Sequence, residues 1–537
     1  MPRRFLQRIW IALTLSLVFS WPSRDVAGGL KNETNDFTTA RAAMLSITVP
    51  ESQFHVTTLA APRFQGREAG KPGQWLAAKY LATEFSNYGL LPGGDGRTYY
   101  QNFHLERTDL KHAKLWLEIG KTPAGKMAFT LKSDFIPFNF TGENRLTAPV
   151  VFVGYGITAP EYNYDDYWSI DVRGKIVLVL RHEPQENNPQ SVFAGTELTN
   201  HALFQEKARN ARAHGAAAML LVSDPANEHD RLEPQGYWPS FNPGKIIPQP
   251  WQLQNKNKHD RFPAIWIDIR IAGAILAGSG KSLLDIQQSI DRSLQPMSFA
   301  VPNLRVHVDL ALKKDLRQTQ NVLALVKGAD PELNDEVVVV GAHYDHVGIR
   351  HEQIHPGADD NASGTAGLLE IAEAFSELQG QVRRSVLFIA FSAEELGLLG
   401  SQFYVNHPVL PLEQTAAMIN LDMISRNVDN EVTVIGSNRS PELHAWNLAA
   451  NQEIGLTCKY DGEHFFNRSD QANFAKHKIP VLFYNTDVHE DYHRPTDVPE
   501  KINAEKLTRI TRLAFLVAWE IANADQRPRY RRFRISE

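Results

Sequence analysis

The stretch VVVVGAHYDH, residues 337–346, carries the reading of the fold. Val337, Val338, Val339 and Val340 form an apolar run with no polar alternation, the pattern of a strand buried on both faces. His343, Asp345 and His346 follow at its end. The same layout recurs three times. Residues 386–391 are apolar and lead to Glu394 and Glu395; 418–421 lead to Asp422; 481–484 lead to a polar segment ending in His493. Helices are expected at 364–378, 441–453 and 504–522, the last capped by Asn503, so strands and helices alternate from about residue 320. The fold class that follows is α/β, a doubly wound mixed sheet flanked by helices. In such a sheet the carboxyl ends of the strands face one crevice where ligands bind. Four strands therefore deliver His343, Glu394-Glu395, Asp422 and His493 to one edge. The loop GADDNASG, 357–364, opens the first helix and can bring Asp359 there as well.

Each residue alone has an ordinary reading. An Asp at a strand end is commonly a cap or turn residue, and two Glu at a helix start suit the macrodipole. Their coincidence on one edge points instead to a metal. Imidazole and carboxylate ligands without thiolate are the set of a hydrolytic zinc site. The single cysteine, Cys458, excludes a cysteine-based finger and an intrachain disulfide.

Three other motifs compete. HExxH occurs at 351–355 and at 489–493, but it requires a helix, and Pro356-Gly357 and Arg494-Pro495 follow the two copies. The run 278–282, GSGKS, resembles a phosphate loop, yet Ile275 stands where that motif needs glycine. A GxSxG elbow is absent, which removes the serine hydrolases of that type.

The 537 residues hold several domains' worth of chain, with 43% hydrophobic and 22% charged residues, a globular composition. A net charge of −5 argues against nucleic acid as the partner. Arg3, Arg4 and Arg8 precede an apolar stretch over 9–19, the pattern of a secretory signal peptide, so 1–27 is expected to be a leader and the protein exported to a periplasm or beyond. Elsewhere no segment is long and apolar enough to span a membrane. Residues 50–130 begin with helical spacing (Trp75, Leu76, Ala78, Tyr80, Leu81, Phe85), and 148–305 contain strand-like runs at 150–153, 175–180 and 218–222 around a helix at 203–214. The stretch 224–260 reads as loops, and the five arginines of 527–537 as a solvated tail.

GADDNASG, FSAEELGLLGS (391–401), NLDM (420–423) and DYHRPTD (491–497) resemble the motifs of the zinc exopeptidases related to bacterial leucyl aminopeptidases and glutamate carboxypeptidase. The segment PRFQGREAGKPGQWLAAKYLATEF (62–85) is similar to that family's opening segment, and GKIVLVL (174–180) with AAAMLLV (216–222) resembles an inserted protease-associated (PA) domain. The resemblance covers about 55–130 and 320–525. It implies peptidase segments at 45–135 and 306–525, a PA insert at 140–305 and a basic tail at 526–537. It also implies two zinc ions per chain, with His343 and Asp422 on one, Glu395 and His493 on the other, and Asp359 bridging. Glu394 would be the general acid/base acting on a water between the metals, and Asp345 would accept the His343 imidazole N–H and orient the ring. Gln471, where the family commonly has His, and Ser425, where it often has Gly, depart from the pattern. The activity implied is an aminopeptidase acting on peptides. A carboxypeptidase or dipeptidase of the same family, a non-catalytic homologue and an HExxH zincin are the alternatives.

Overall fold

The computed structural model describes residues 37–120, 125–226, 250–254 and 262–531. The expected leader and most of the loop-rich stretch at 224–260 lie outside the described residues. The strands that build the main sheet are β1 (Tyr100–Ile119), β2 (Phe135–Pro137), β3 (Asn144–Val153), β4 (Ile176–Leu180), β5 (Ala218–Val222), β6 (Ala264–Ile267) and β7 (Ser298–Val326). They continue with β8 (Val337–His343), β9 (Ser385–Phe391), β10 (Thr415–Leu421), β11 (Glu431–Ile435), β12 (Thr457–Lys459) and β13 (Val481–Asn485). Their order across the sheet is β12-β11-β13-β10-β8-β9-β7-β3-β4-β5-β6-β2. Pairs β8/β9, β8/β10 and β10/β13 are parallel, while β7/β9 and β11/β13 are antiparallel, so the sheet is mixed as the sequence implies.

The uninterrupted apolar runs are explained by two cores. Along β8 to β13, Val338, Val340, Phe388, Ala390, Ile419, Leu421, Leu482 and Tyr484 face one side. There they meet α2 (Val49–Leu59), α3 (Pro72–Asn87), α7 (Gly364–Ser376) and α11 (Ala504–Asn523). The alternate residues Val337, Val339, Leu387, Ile389, Phe391, Met418, Val481 and Phe483 face the other side, against α8 (Leu399–Asn406) and α10 (Gln471–Lys476). Removing one such side chain, as in Phe388→Ala, would cost roughly 3–5 kcal/mol, a large share of a net stability of about 5–15 kcal/mol. The second half repeats the scheme. Phe152, Leu178 and Leu220 face α5 (Ile269–Leu276) and α6 (Leu283–Ser293), and Val151, Val177 and Leu221 face α4 (Phe204–Ala213). Ser282 of the phosphate-loop-like run caps α6, its hydroxyl accepting from the Asp285 N–H.

Two features depart from the sequence expectation. Residues 100–119, placed in a helix-led segment, form β1, which pairs antiparallel with β7 from Tyr100↔Val322 to Ile119↔Leu304. Strand β7 runs without interruption through the expected boundary at 305/306. The middle of this ribbon is charged on both strands and shows no apolar alternation. Its backbone ladder, together with pairs such as Arg107–Asp315 (2.9 Å) and His112–Asp309 (3.0 Å), holds it. The described part of the basic tail lies on the surface, as expected, and pairs with it: Arg527 Nε is 2.8 Å from Glu336 and Arg529 Nη2 2.6 Å from Glu442.

Candidate metal centre

The carboxyl ends of β8, β9, β10 and β13 open on one crevice, and two loops complete it. His343 is the last residue of β8. Its Nε2 lies 3.2 Å from Asp422 Oδ1, just past β10, and 3.4 Å from Asp360 Oδ1. On the other side of Asp360, Oδ2 lies 3.0 Å from His493 Nε2, which is also 3.0 Å from Glu395 Oε2. His346 Nδ1 approaches Glu395 Oε1 at 2.8 Å. Two donor groups result, His343–Asp360–Asp422 and His346–Asp360–Glu395–His493, sharing one carboxylate.

That shared residue is Asp360, where the resemblance implied Asp359. The neighbour turns away: Asp359 Oδ1 accepts from Ser425 N (3.0 Å) and Oγ (2.6 Å), and its Oδ2 faces His489 Nε2 at 3.2 Å. The loop is held so that only one of the two can reach the crevice. Asp497 accepts the N–H groups of Asp359 (3.0 Å) and Asp360 (3.1 Å), and Asn361 Nδ2 donates to Leu421 O at 2.9 Å. The Asp360–Asn361 peptide is cis. Gly364 has no room for a side chain, since a Cβ would stand 2.3 Å from Leu421 O.

Asp345 is placed differently from the expectation too. His343 Nδ1 meets the Asp345 backbone oxygen at 3.2 Å and its carboxylate only at 3.9 Å; the carboxylate Oδ1 accepts the Glu394 N–H at 3.1 Å. It therefore ties the β8 loop to the β9 loop. Arg67, fully buried, joins further parts: its guanidinium donates to the backbone oxygens of Leu59, Tyr344, Pro356 and Gly357. Ala393 (φ 58°), Met423 (φ 57°) and His493 (φ 57°) sit in left-handed backbone beside the site, the kind of strain that concentrates at functional positions.

The electrostatics follow from crowded, buried carboxylates. Burial pushes Asp345 up to about 8 and Asp360 upward, with Glu395 adding to both. Glu394 is raised well above the ordinary range by burial, then by Glu395 and Asp422 against His343. Glu395 goes the other way: burial would lift it, but the His346 and His493 imidazoles beside it hold it low. His493 rises to about 10 despite burial because Asp360 and Glu395 favour its charged form. Such a field attracts a divalent cation. Asp360 Oδ2, Glu395 Oε1 and both His346 nitrogens are buried without hydrogen-bond partners, although buried polar atoms are ordinarily satisfied. Orphaned nitrogen and oxygen donors aimed at common points fit metal ions.

Neither HExxH motif is helical. Residues 351–355 lie in a hairpin whose strands are Ile349–Arg350 and Gln353–Ile354. Residues 489–493 form a turn after β13, with Glu490 exposed. Gln471 is buried behind the crevice, its Oε1 accepting from Asn420 Nδ2 at 2.9 Å. The residues missed from sequence were Asp360, His346 and the loop-holding Asp497. The signals were present in the second Asp of GADDNASG, the second His of HYDH and the last Asp of DYHRPTD.

Residues 321–518 match the family described as Peptidase family M28, and residues 146–259 match the PA domain. The chain thus carries an M28 peptidase domain with a PA domain before it. Aminopeptidase YwaD of Bacillus subtilis is 27% identical over 391 residues, 70% of this chain and 69% of the relative. A probable leucine aminopeptidase 2 of Aspergillus oryzae is 40% identical over 198 residues, 36% of this chain and 31% of the relative. Among solved structures, the aminopeptidase from Aneurinibacillus sp. strain AM-1 matches with a TM-score of 0.48 and 21% identity, covering 91% of this chain and 97% of that one. The M28 match begins within β7 and ends in α11, so it takes in every strand end that lines the crevice. No helix among the described residues is long and apolar enough to cross a membrane.

Proposed function

We propose that this chain is an exported aminopeptidase that works with two zinc ions. The observation that carries the reading is the Asp360 carboxylate, which presents Oδ1 to the His343–Asp422 side and Oδ2 to the Glu395–His493 side. His343, Asp360 and Asp422 would hold one ion, and Asp360, Glu395 and His493 the other. When bound, such a pair supplies Lewis-acid polarisation of a carbonyl and lowers the pKa of water to near neutrality. The chain's own residues do the rest.

Glu394 belongs to neither donor group, yet its Oε2 lies 3.9 Å from His343 Nε2. A buried carboxylate with raised proton affinity can take a proton from the attacking water and pass it to the leaving amine. Asp345 fixes the Glu394 backbone and, through its own backbone oxygen, the His343 ring. A carboxypeptidase needs an arginine free to clamp a carboxylate, but Arg426 is bound to Asp491 at 2.9 Å and Arg67 is buried on backbone carbonyls. The relatives named aminopeptidases support the same direction of attack. The basic and apolar segment at 3–19 supports export.

The test pairs metal analysis with two substrates. The zinc-loaded chain should hold two ions and cleave an amino-acid anilide but not its N-acetylated form. Equal cleavage of both forms, or preference for a free C-terminal carboxylate, would overturn the assignment.

A further inference from the structure

The two donor groups are unequal, and the difference is His346. We propose that His346 is a metal ligand, so that one of the two metal positions is closed by four side chains while the other, with three, keeps an open side toward Glu394. This rests on the two-metal reading above.

The His346 side chain is fully buried, and neither ring nitrogen has a hydrogen-bond partner. A structural imidazole at such a place would normally donate to a carbonyl or carboxylate. Instead Nδ1 points among acceptors that it does not bond, 2.8 Å from Glu395 Oε1 and 3.7 Å from Asp360 Oδ2. With the 3.0 Å contacts of His493 to Asp360 and Glu395, these distances bracket the roughly 3.3–3.5 Å edge of a tetrahedron of zinc ligands about 2.0–2.1 Å from the ion. The donor atoms of His346, Asp360, Glu395 and His493 all lie within 4.8 Å of one another.

The seat for the ring is built. The His346 N–H donates to Arg67 O at 3.3 Å. Gly357 (φ 59°) lies against the imidazole, where a Cβ would stand 2.5 Å from Cγ and Cδ2. His346 and His493 meet edge to face with ring centroids 5.5 Å apart.

Four protein ligands make a closed tetrahedral site, whereas three leave a coordination position for water or substrate. The His346 position should therefore retain its ion and the His343–Asp422 position should exchange it. The chemistry belongs to the second, which adjoins Glu394.

The test is a zinc titration of the metal-free full chain by calorimetry, for the wild type, His346→Asn and His346→Asp. Wild type should bind in two steps at least about tenfold apart. His346→Asn should weaken the tighter step by at least the ~10–100-fold that loss of mere outer support brings, and leave the weaker step nearly unchanged. His346→Asp, which can ligate, should restore part of the loss. An unchanged tight step in folded His346→Asn overturns the proposal and leaves the two-metal reading standing. A wild type that binds a single ion overturns the two-metal reading. In that case, or if the variants do not fold, cobalt-loaded wild type still decides: two imidazole N–H protons shifted by the first equivalent support His346, and one overturns it.

Discussion

Asp359 and Asp360 are successive residues whose carboxylates serve opposite neighbours: Asp359 Oδ1 accepts from Ser425 Oγ at 2.6 Å, while Asp360 Oδ2 lies 3.0 Å from His493 Nε2. Asp360→Asn should accordingly weaken both zinc equivalents, since one side chain serves both groups. Asp359→Asn should leave both bound and lower affinity by no more than the ~10–100-fold expected of outer support. Metal analysis after dialysis checks this; the reverse ranking would restore Asp359 as the shared residue.

Glu394 and Glu395 divide in the same way. Glu394→Gln should lower kcat by the ~10²–10⁴-fold typical of a lost general base while zinc content stays at the wild-type value. Glu395→Ala should lose one ion and regain part of its activity at high zinc. Single-turnover rates with metal analysis separate the two. Loss of zinc from Glu394→Gln with full occupancy in Glu395→Ala would exchange their roles.

The two HExxH glutamates should be dispensable. Glu352 sits in the 349–354 hairpin and Glu490 on an exposed turn, and neither belongs to a donor group. Glu352→Ala and Glu490→Ala should keep kcat/KM within about twofold, the range of ordinary surface substitutions at up to ~0.5 kcal/mol. A loss comparable to that of Glu394→Gln would indicate a zincin.

A pH dependence of stability should come from Glu370, far from the crevice chemistry. Burial, with the Glu51 and Glu373 carboxylates adding to it against the Thr48 N–H, raises its carboxyl from the ordinary 4.5 to about 8. Between those values the folded chain keeps a proton that the unfolded chain has released, so stability falls as pH rises through the window. Glu370→Gln keeps an oxygen for the Thr48 N–H (3.0 Å) and carries no charge. Its melting temperature should match wild type near pH 4.5 and exceed it at pH 8, with a free-energy gain on the order of a few kcal/mol. An equal difference at both pH values would mean that Glu370 does not titrate in this window.

The strand ends bearing His343, Glu394, Glu395, Asp422 and His493 were legible because a doubly buried strand needs an apolar run, and the polar residue that breaks it marks the crevice. The helix capped by Asn503 was legible for a similar reason: its Oδ1 accepts from the Lys506 N–H at 2.9 Å. The choice between Asp359 and Asp360 was not. It depends on which carboxylate the Asp497 and Asn361 contacts turn inward, and a loop has no periodicity to reveal that. His346 reads as one more polar residue after a strand until Glu395 and His493 are brought beside it from elsewhere in the chain. The β1–β7 ribbon was missed because charge covers its middle, and its stability lies in pairing between segments about 200 residues apart.

Strand β7 belongs to both halves of the sheet, pairing with β3 through residues 298–310 and with β9 through 322–326. The insert is thus not a bead on two tethers: cutting the gene at 140 and 305 would keep β1 paired with 306–322 but strip residues 306–310 of their β3 partners. A cleaner excision is written in the ladder itself. Arg107 and Asp315 stand opposite each other in register, so a two-residue turn in place of 108–314 would close the remaining ribbon as a hairpin and keep the 100–107 and 315–322 pairing intact.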